Sequence, residues 1–152
     1  MVSGAIGNGF FVHVWTAPSR FGGRCYFDTV DHRLAARQPS SWPPNGGGSC
    51  SGRLGTPADN GASHAFPHLV VSWRPLTRDS TLRNWVPPYV RGEVTTAAKP
   101  ARVVVQWRGG ALDLRLQGRY FAGGSSRMYE HLSPLTVVAY DGAGRVLARI
   151  QR

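Results

Sequence analysis

The chain has 152 residues and a mass of 16.5 kDa. That length is enough for one domain that buries roughly two thirds of its unfolded surface without a metal or a covalent staple. Hydrophobic residues make up 41% and charged residues 17%, which excludes a disordered tail and a coiled coil, both of which need far more charge. With 19 Gly and 11 Pro, the chain calls for many turns and few long helices.

The formal net charge is +10, carried by seventeen arginines and the single lysine Lys99. Two explanations compete. Arginine pairs phosphate in a bidentate way, which points to a polyanion such as nucleic acid. A GC-rich genome also replaces lysine codons by arginine codons across a whole surface. The arginines stand singly from Arg20 to Arg152, with no basic run, whereas nucleic-acid binders cluster them on one face or tail. A nucleic-acid partner is therefore the less favoured of the two.

Along the chain, Phe10 to Trp15 is aromatic and β-branched and predicts a strand. Thr16 to Gly23 predicts a turn and Arg24 to Asp28 a second strand, so the two form a hairpin. Val30 to Arg37 suits a short helical turn, ended by Pro39. Pro39 to Asn60 is rich in Pro, Gly and Ser and predicts a long loop that needs tying down. His68 to Trp73 predicts a third strand, and Thr77 to Pro88 an irregular stretch anchored by Trp85.

From Tyr89 the pattern becomes regular. Tyr89 to Thr95 predicts a strand and Ala97 to Pro100 a turn. Arg102 to Trp107 and Ala111 to Leu116 form the clearest hairpin, with Gly109-Gly110 as a turn suited to positive φ. Its alternation places Val103, Val105, Trp107, Leu112, Leu114 and Leu116 on one buried face. Gly118 to Phe121 follows as a short strand, and Ser125 to Leu132 holds a helical turn. Leu135 to Tyr140 and Arg145 to Ile150 form a last hairpin across Asp141 to Gly144. Strands recurring with turn signals at this spacing predict an all-β, antiparallel sandwich with at most short helical turns. Residues 1–152 read as one such domain, an N-terminal hairpin and loop over 1–76 followed by a regular strand region over 89–152.

Two cysteines, Cys25 and Cys50, lie in glycine-rich contexts. One disulfide between them would tie down the long loop and imply an oxidising compartment. Two unrelated thiols in a cytoplasmic protein are the alternative. The segment Met1 to Val12 lacks the basic and apolar regions of a secretory signal. No window approaches 18 apolar residues, so no helical membrane span is expected. The chain is expected to be a segment of a longer parent.

The stretch from Tyr89 to Ile150 resembles the transthyretin-like sandwich of carboxypeptidase-regulatory domains. The resemblance is carried by Val90-Arg-Gly-Glu-Val94, Ala101-Arg-Val-Val-Val105, Gly118-Arg-Tyr-Phe121 and Val137-Val-Ala-Tyr-Asp-Gly-Ala-Gly-Arg-Val-Leu147. The segment Ser125 to Pro134 departs from that family's short turn. The whole chain also resembles extracytoplasmic domains of actinobacterial membrane proteins, through Trp15-Thr-Ala-Pro, Gly22-Gly-Arg-Cys25 and Gly47-Gly-Ser-Cys50. These resemblances imply a non-catalytic module and transfer no functional residue.

Few groups suggest chemistry. His64 and His68 have i, i+4 spacing, which on a helix would offer two metal ligands, but Pro67 between them argues against a helix. Cys25, His13 and Asp28 can be read as a nucleophile, a base and an orienting acid if His13 and Cys25 oppose each other across the first hairpin. Cys25 lies beside Tyr26 and Phe27, a context that suits a bridged or buried cysteine better. Trp73 and Trp107 suit the core, while Trp42, in Ser41-Trp-Pro-Pro44, is the exposed aromatic that would contact a ligand. The expectation is a non-catalytic extracytoplasmic or cell-surface module without a cofactor or metal. Its partner would be another protein or a cell-surface component. An arginine-driven polyanion binder is the alternative, and a metal or hydrolytic enzyme stands third.

Overall fold

A computed structural model describes residues 1–18, 24–32, 47–51, 63–66, 68–79, 84–114, 116–128 and 134–151. In chain order its strands are β1 (Val2–Gly7), β2 (Phe10–Pro18), β3 (Arg24–Asp31), β4 (Gly47–Ser51), β5 (Ser63–Phe66), β6 (Leu69–Arg74), β7 (Thr77–Asp79) and β8 (Asn84–Val86). They continue as β9 (Tyr89–Val94), β10 (Arg102–Trp107), β11 (Gly110–Leu114), β12 (Leu116–Gln117), β13 (Tyr120–Gly124), β14 (Thr136–Tyr140) and β15 (Val146–Gln151). A single 3-10 turn, Ser126–Met128, is the helical element among the described residues. The protein is all-β, and every paired strand is antiparallel.

Three larger sheets make a layered sandwich. The first has order β1-β2-β3-β4, the second β12-β13-β9-β6-β5 and the third β11-β10-β14-β15. A fourth, β7-β8, is a two-stranded ribbon. The second sheet is the middle layer, because its strands β6, β9 and β13 are buried on both faces. On β9, Val90 and Val94 join the core shared with the third sheet, while Tyr89 belongs to the core shared with the first. Leu69 and Val71 of β6 and Phe121 of β13 point the first way, and Ala122 of β13 points the second. Period-2 alternation thus sends each strand's odd and even residues into two different interiors.

The apolar core lies between the second and third sheets. Val103, Val105, Trp107, Leu114, Val137, Ala139 and Ile150 fill it from the third sheet. The expected hairpin face is present in register, Val103 opposite Leu114 and Val105 opposite Leu112. Leu116 reaches the same core from the opposite side, because the chain changes sheets between β11 and β12. Its alternation with Leu112 and Leu114 continues across that change, so the pattern alone does not reveal it.

The first sheet was only partly expected. The turn predicted over Thr16 to Gly23 begins later, since β2 runs on to Pro18. The helical turn predicted from Val30 is overturned at its start, where Val30 and Asp31 extend β3 against Val12 and Phe11. The loop predicted over Pro39 to Asn60 contains β4, which pairs with β3; the rest of it lies outside the described residues. Strand β1 was not anticipated at all. Its turn, Asn8-Gly9, has φ of 53° and 77° at its two central residues, the type I′ geometry that an Asn-Gly pair adopts readily. At the Arg108-Gly109 turn, by contrast, neither Gly109 nor Gly110 has positive φ. Gly110 instead leaves room for Trp107, whose Cζ2 would lie 3.0 Å from an added Cβ.

One close approach fixes how the first sheet sits on the second. A Cβ on Gly4 would lie 2.0 Å from the backbone oxygen of Ala122, so β1 rests directly on the backbone of β13. Two substitutions test this packing. Leu114→Ala is expected to cost about 2–5 kcal/mol through the cavity it opens, and Gly4→Ala about 1–3 kcal/mol through overpacking against β13. Chemical denaturation measures both. A loss below about 0.5 kcal/mol, the range of a neutral surface change, would contradict the packing.

Candidate functional site

Two features of the molecule depart from a plain sandwich. The first is a ladder of polar side chains between the first two sheets. Alternate residues Arg24, Tyr26 and Asp28 of β3 face alternate residues Tyr89, Arg91 and Glu93 of β9, with Arg74 of β6 beside them. Arg91 Nη2 lies 2.9 Å from Asp28 Oδ1, and both side chains are only 1% exposed. The Tyr89 hydroxyl donates to Asp28 Oδ2, and Arg74 Nε lies 3.9 Å from the same oxygen. One rung outward, the Tyr26 hydroxyl donates to Glu93 Oε2 at 2.6 Å, and Arg24 Nε lies 3.7 Å from it. The Arg91 guanidinium sits 6.0 Å from the Tyr26 ring centre, and the Arg24 guanidinium 5.7 Å from that of Tyr120.

The electrostatics follow from burial. Burial pushes the Tyr26 hydroxyl well above its ordinary range, helped by its bond to Glu93. Burial and then the Asp28 charge raise Tyr89 in the same way. Burial lowers the Arg91 guanidinium, and Asp28 opposes that shift. The two tyrosine hydroxyls are thereby kept protonated and serve as donors to Glu93 and Asp28. This is a joint between two sheets.

The second feature is a cleft of about 320 Å³ lined by Asn8, Leu76, Trp85, Pro87, Pro88 and Ser126. It forms where the β1–β2 turn, the β7–β8 ribbon and the 3-10 turn come together. Trp85 is 57% exposed, so the expectation that it anchors an irregular stretch is corrected. It stands on β8, opposite Arg78 of β7. Cross-strand partners lie on the same side of a ribbon, so Arg78 and Trp85 share a face. Arg78 and Arg127, which follows the lining residue Ser126, are both exposed.

The residues singled out from the sequence are distributed differently. Cys25 lies directly opposite Cys50 in the β3–β4 register. Cys25, His13 and Asp28 do not assemble. His13 pairs with Thr29 and Cys25 with Ala17, an offset of about 13 Å along the sheet. Asp28 pairs with Val14 and so points to the opposite face. His13 is buried, with Nδ1 2.8 Å from Ser3 Oγ. His64 lies in β5 opposite Val71, and His68 occupies the following turn with φ of 71°. The i, i+4 helical geometry is therefore absent. Trp42 lies outside the described residues. Trp107 is buried in the core and Trp73 packs against it.

The ladder was missed by the sequence reading. Its signal was present as polar residues at alternate positions, Arg24-x-Tyr26-x-Asp28 and Tyr89-x-Arg91-x-Glu93. Each string looks like a solvent-facing edge until the two are brought face to face. The chain matches no known family model, curated protein or solved structure.

The ladder sets an alkaline limit on stability. Tyrosines whose folded pKa is raised contribute stability that is complete below the ordinary tyrosine range and is lost as pH rises through it. Melting temperature should therefore fall steeply above about pH 10, and less steeply in a Tyr26→Phe variant. Asp28→Asn leaves Arg91 without a countercharge and is expected to cost about 3–5 kcal/mol. A denaturation midpoint unchanged by Asp28→Asn would show that the pair carries no structural weight.

Proposed function

We propose that the chain is a non-catalytic β-sandwich interaction module that works outside the cytoplasm or at the cell surface, with another protein as its partner. The observation that carries this reading is the division of labour among the polar and aromatic groups. The charged side chains of the ladder are turned on one another and join two sheets, while the large indole of Trp85 is turned to solvent beside an apolar cleft. Exposed aromatic residues set in a concave apolar surface are typical anchors for binding.

The compartment is argued from the cysteines. Antiparallel partners have Cα atoms roughly 4.5–5.5 Å apart, within the span a disulfide bridges. Cys25 and Cys50 are such partners. We therefore include a Cys25–Cys50 bridge in the reading, and with it an oxidising compartment. The transthyretin-like relation of residues 89–150 belongs to the same proposal. It is supported by the way this stretch divides its strands, with β9, β12 and β13 in one sheet and β10, β11, β14 and β15 in the sheet facing it.

A polyanion binder is the second reading, favoured by the +10 charge. Against it, many arginines serve the chain itself. Arg24, Arg74, Arg91, Arg102 and Arg145 pair with its carboxylates, and Arg119 donates to the backbone oxygens of Val94, Thr96 and Ala97.

Thiol titration of the unreduced, denatured protein is expected to find none free, and two after reduction. Reduction should lower stability by about 3 kcal/mol for a loop of this size. Two free thiols before reduction would remove the bridge and the compartment assignment together. Duplex DNA is expected to bind weakly at low salt and not at physiological salt. Tight binding with a steep salt slope would put the polyanion reading first.

A further inference from the structure

We propose that the Trp85 cleft binds an extended, proline-containing acidic peptide of a partner protein. This inference rests on the interaction-module reading and names the chemistry of its ligand. The walls supply the first argument. Leu76, Trp85, Pro87 and Pro88 make an apolar trough, with Asn8 and Ser126 at the rim. A volume of about 320 Å³ holds one or two side chains, which suits a short motif crossing the trough. A proline ring stacks flat on an indole, and a polyproline-II segment reaches the site already extended, so little conformational entropy is lost on binding.

Charge supplies the second argument. Arg78 shares the ribbon face of Trp85, and Arg127 follows Ser126 at the rim. Both are exposed, and neither makes an ion pair among the described residues. Other arginines are paired with the chain's own carboxylates, as in Arg102–Asp113 and Arg145–Asp141. Two exposed guanidinium groups beside an aromatic trough, without an ion pair among the described residues, complement carboxylates on either side of an apolar or proline residue.

The same features argue against other ligands. A sugar ring presents hydroxyls around its perimeter and needs several fixed polar partners, where this rim offers the side chains of Asn8 and Ser126. A nucleic acid or sulfated polymer needs a continuous cationic track, whereas here apolar walls lie beside the arginines.

The test is selection of a displayed library of random decapeptides on the full, bridged chain. Expected is a consensus containing proline and at least one Asp or Glu. A synthetic consensus peptide should lose about tenfold or more in affinity for Trp85→Ala, as for a buried aromatic anchor, and a similar factor for an Arg78→Glu, Arg127→Glu variant. Melting temperature should stay unchanged in both, since the three side chains are exposed. An enriched set without acidic residues, equal enrichment on Trp85→Ala, or no enrichment would overturn the proposal. Displacement of the peptide by heparin together with binding that ignores proline→Ala changes would replace it by the polyanion reading. A chain that is fully bridged yet selects no such peptide sinks this inference alone, while free thiols before reduction sink the compartment assignment of the module whatever the selection returns.

Discussion

The ion pair between Arg91 and Asp28 is the contact on which the arrangement of the first two sheets depends. Its two charges are almost wholly removed from water, and that removal is costly unless each finds its partner in good geometry. A one-residue shift of β3 in its register with β2 would turn Arg24, Tyr26 and Asp28 away from β9 and bring Cys25 and Phe27 in their place. A charged guanidinium would then face apolar groups without a countercharge. The pair therefore acts mainly as a device of register. Hydrophobic contact alone would tolerate several alignments of two β-sheets, and this one does not.

The middle sheet makes that device necessary. Its strands serve two interiors, so a residue facing the wrong way disturbs both. On the side of the third sheet the interior is apolar and held by shape, with Val, Leu, Phe and Trp side chains interdigitating. On the side of the first sheet the apolar cluster of Val2, Ile6, Phe10, Val12 and Val14 covers only part of the contact, and the polar ladder completes it. Glycine sets the distance between the layers. Gly4 lets β1 lie on the backbone of β13, while within the middle sheet Gly92 of β9 leaves room for the ring of its cross-strand neighbour Phe121, whose Cζ would lie 2.5 Å from an added Cβ.

The cleft arises from the same layering. The ribbon of β7 and β8 carries the chain from the middle sheet at β6 back to it at β9. The two prolines after β8 turn it inward and are themselves buried, which leaves Trp85 standing outward beside the first turn of the chain. The indole expected to anchor this stretch faces solvent because, among the described residues, no sheet packs over that face of its ribbon.

The sequence by itself determined the class of fold. Strict alternation in Arg102 to Trp107 and Ala111 to Leu114, and the turns at Asp141 to Gly144, specify antiparallel hairpins, since local sterics and side-chain period act within a few residues. Asn8-Gly9 carried the same local information for β1, and the glycines of that short strand obscured it. Tertiary structure decided what depends on contacts distant in sequence. Leu116 leaves the sheet of Leu114 although its alternation is unbroken. Arg24, Tyr26 and Asp28 become interior residues only because β9 presents Tyr89, Arg91 and Glu93 to them. His13 and Cys25 lie apart because hairpin register, which no single strand encodes, places them four positions from each other. Trp85 is exposed because, among the described residues, no sheet packs on its side of a two-stranded ribbon. A local pattern can state which residues share a face, but the surface that this face meets is settled only when the sheets come together.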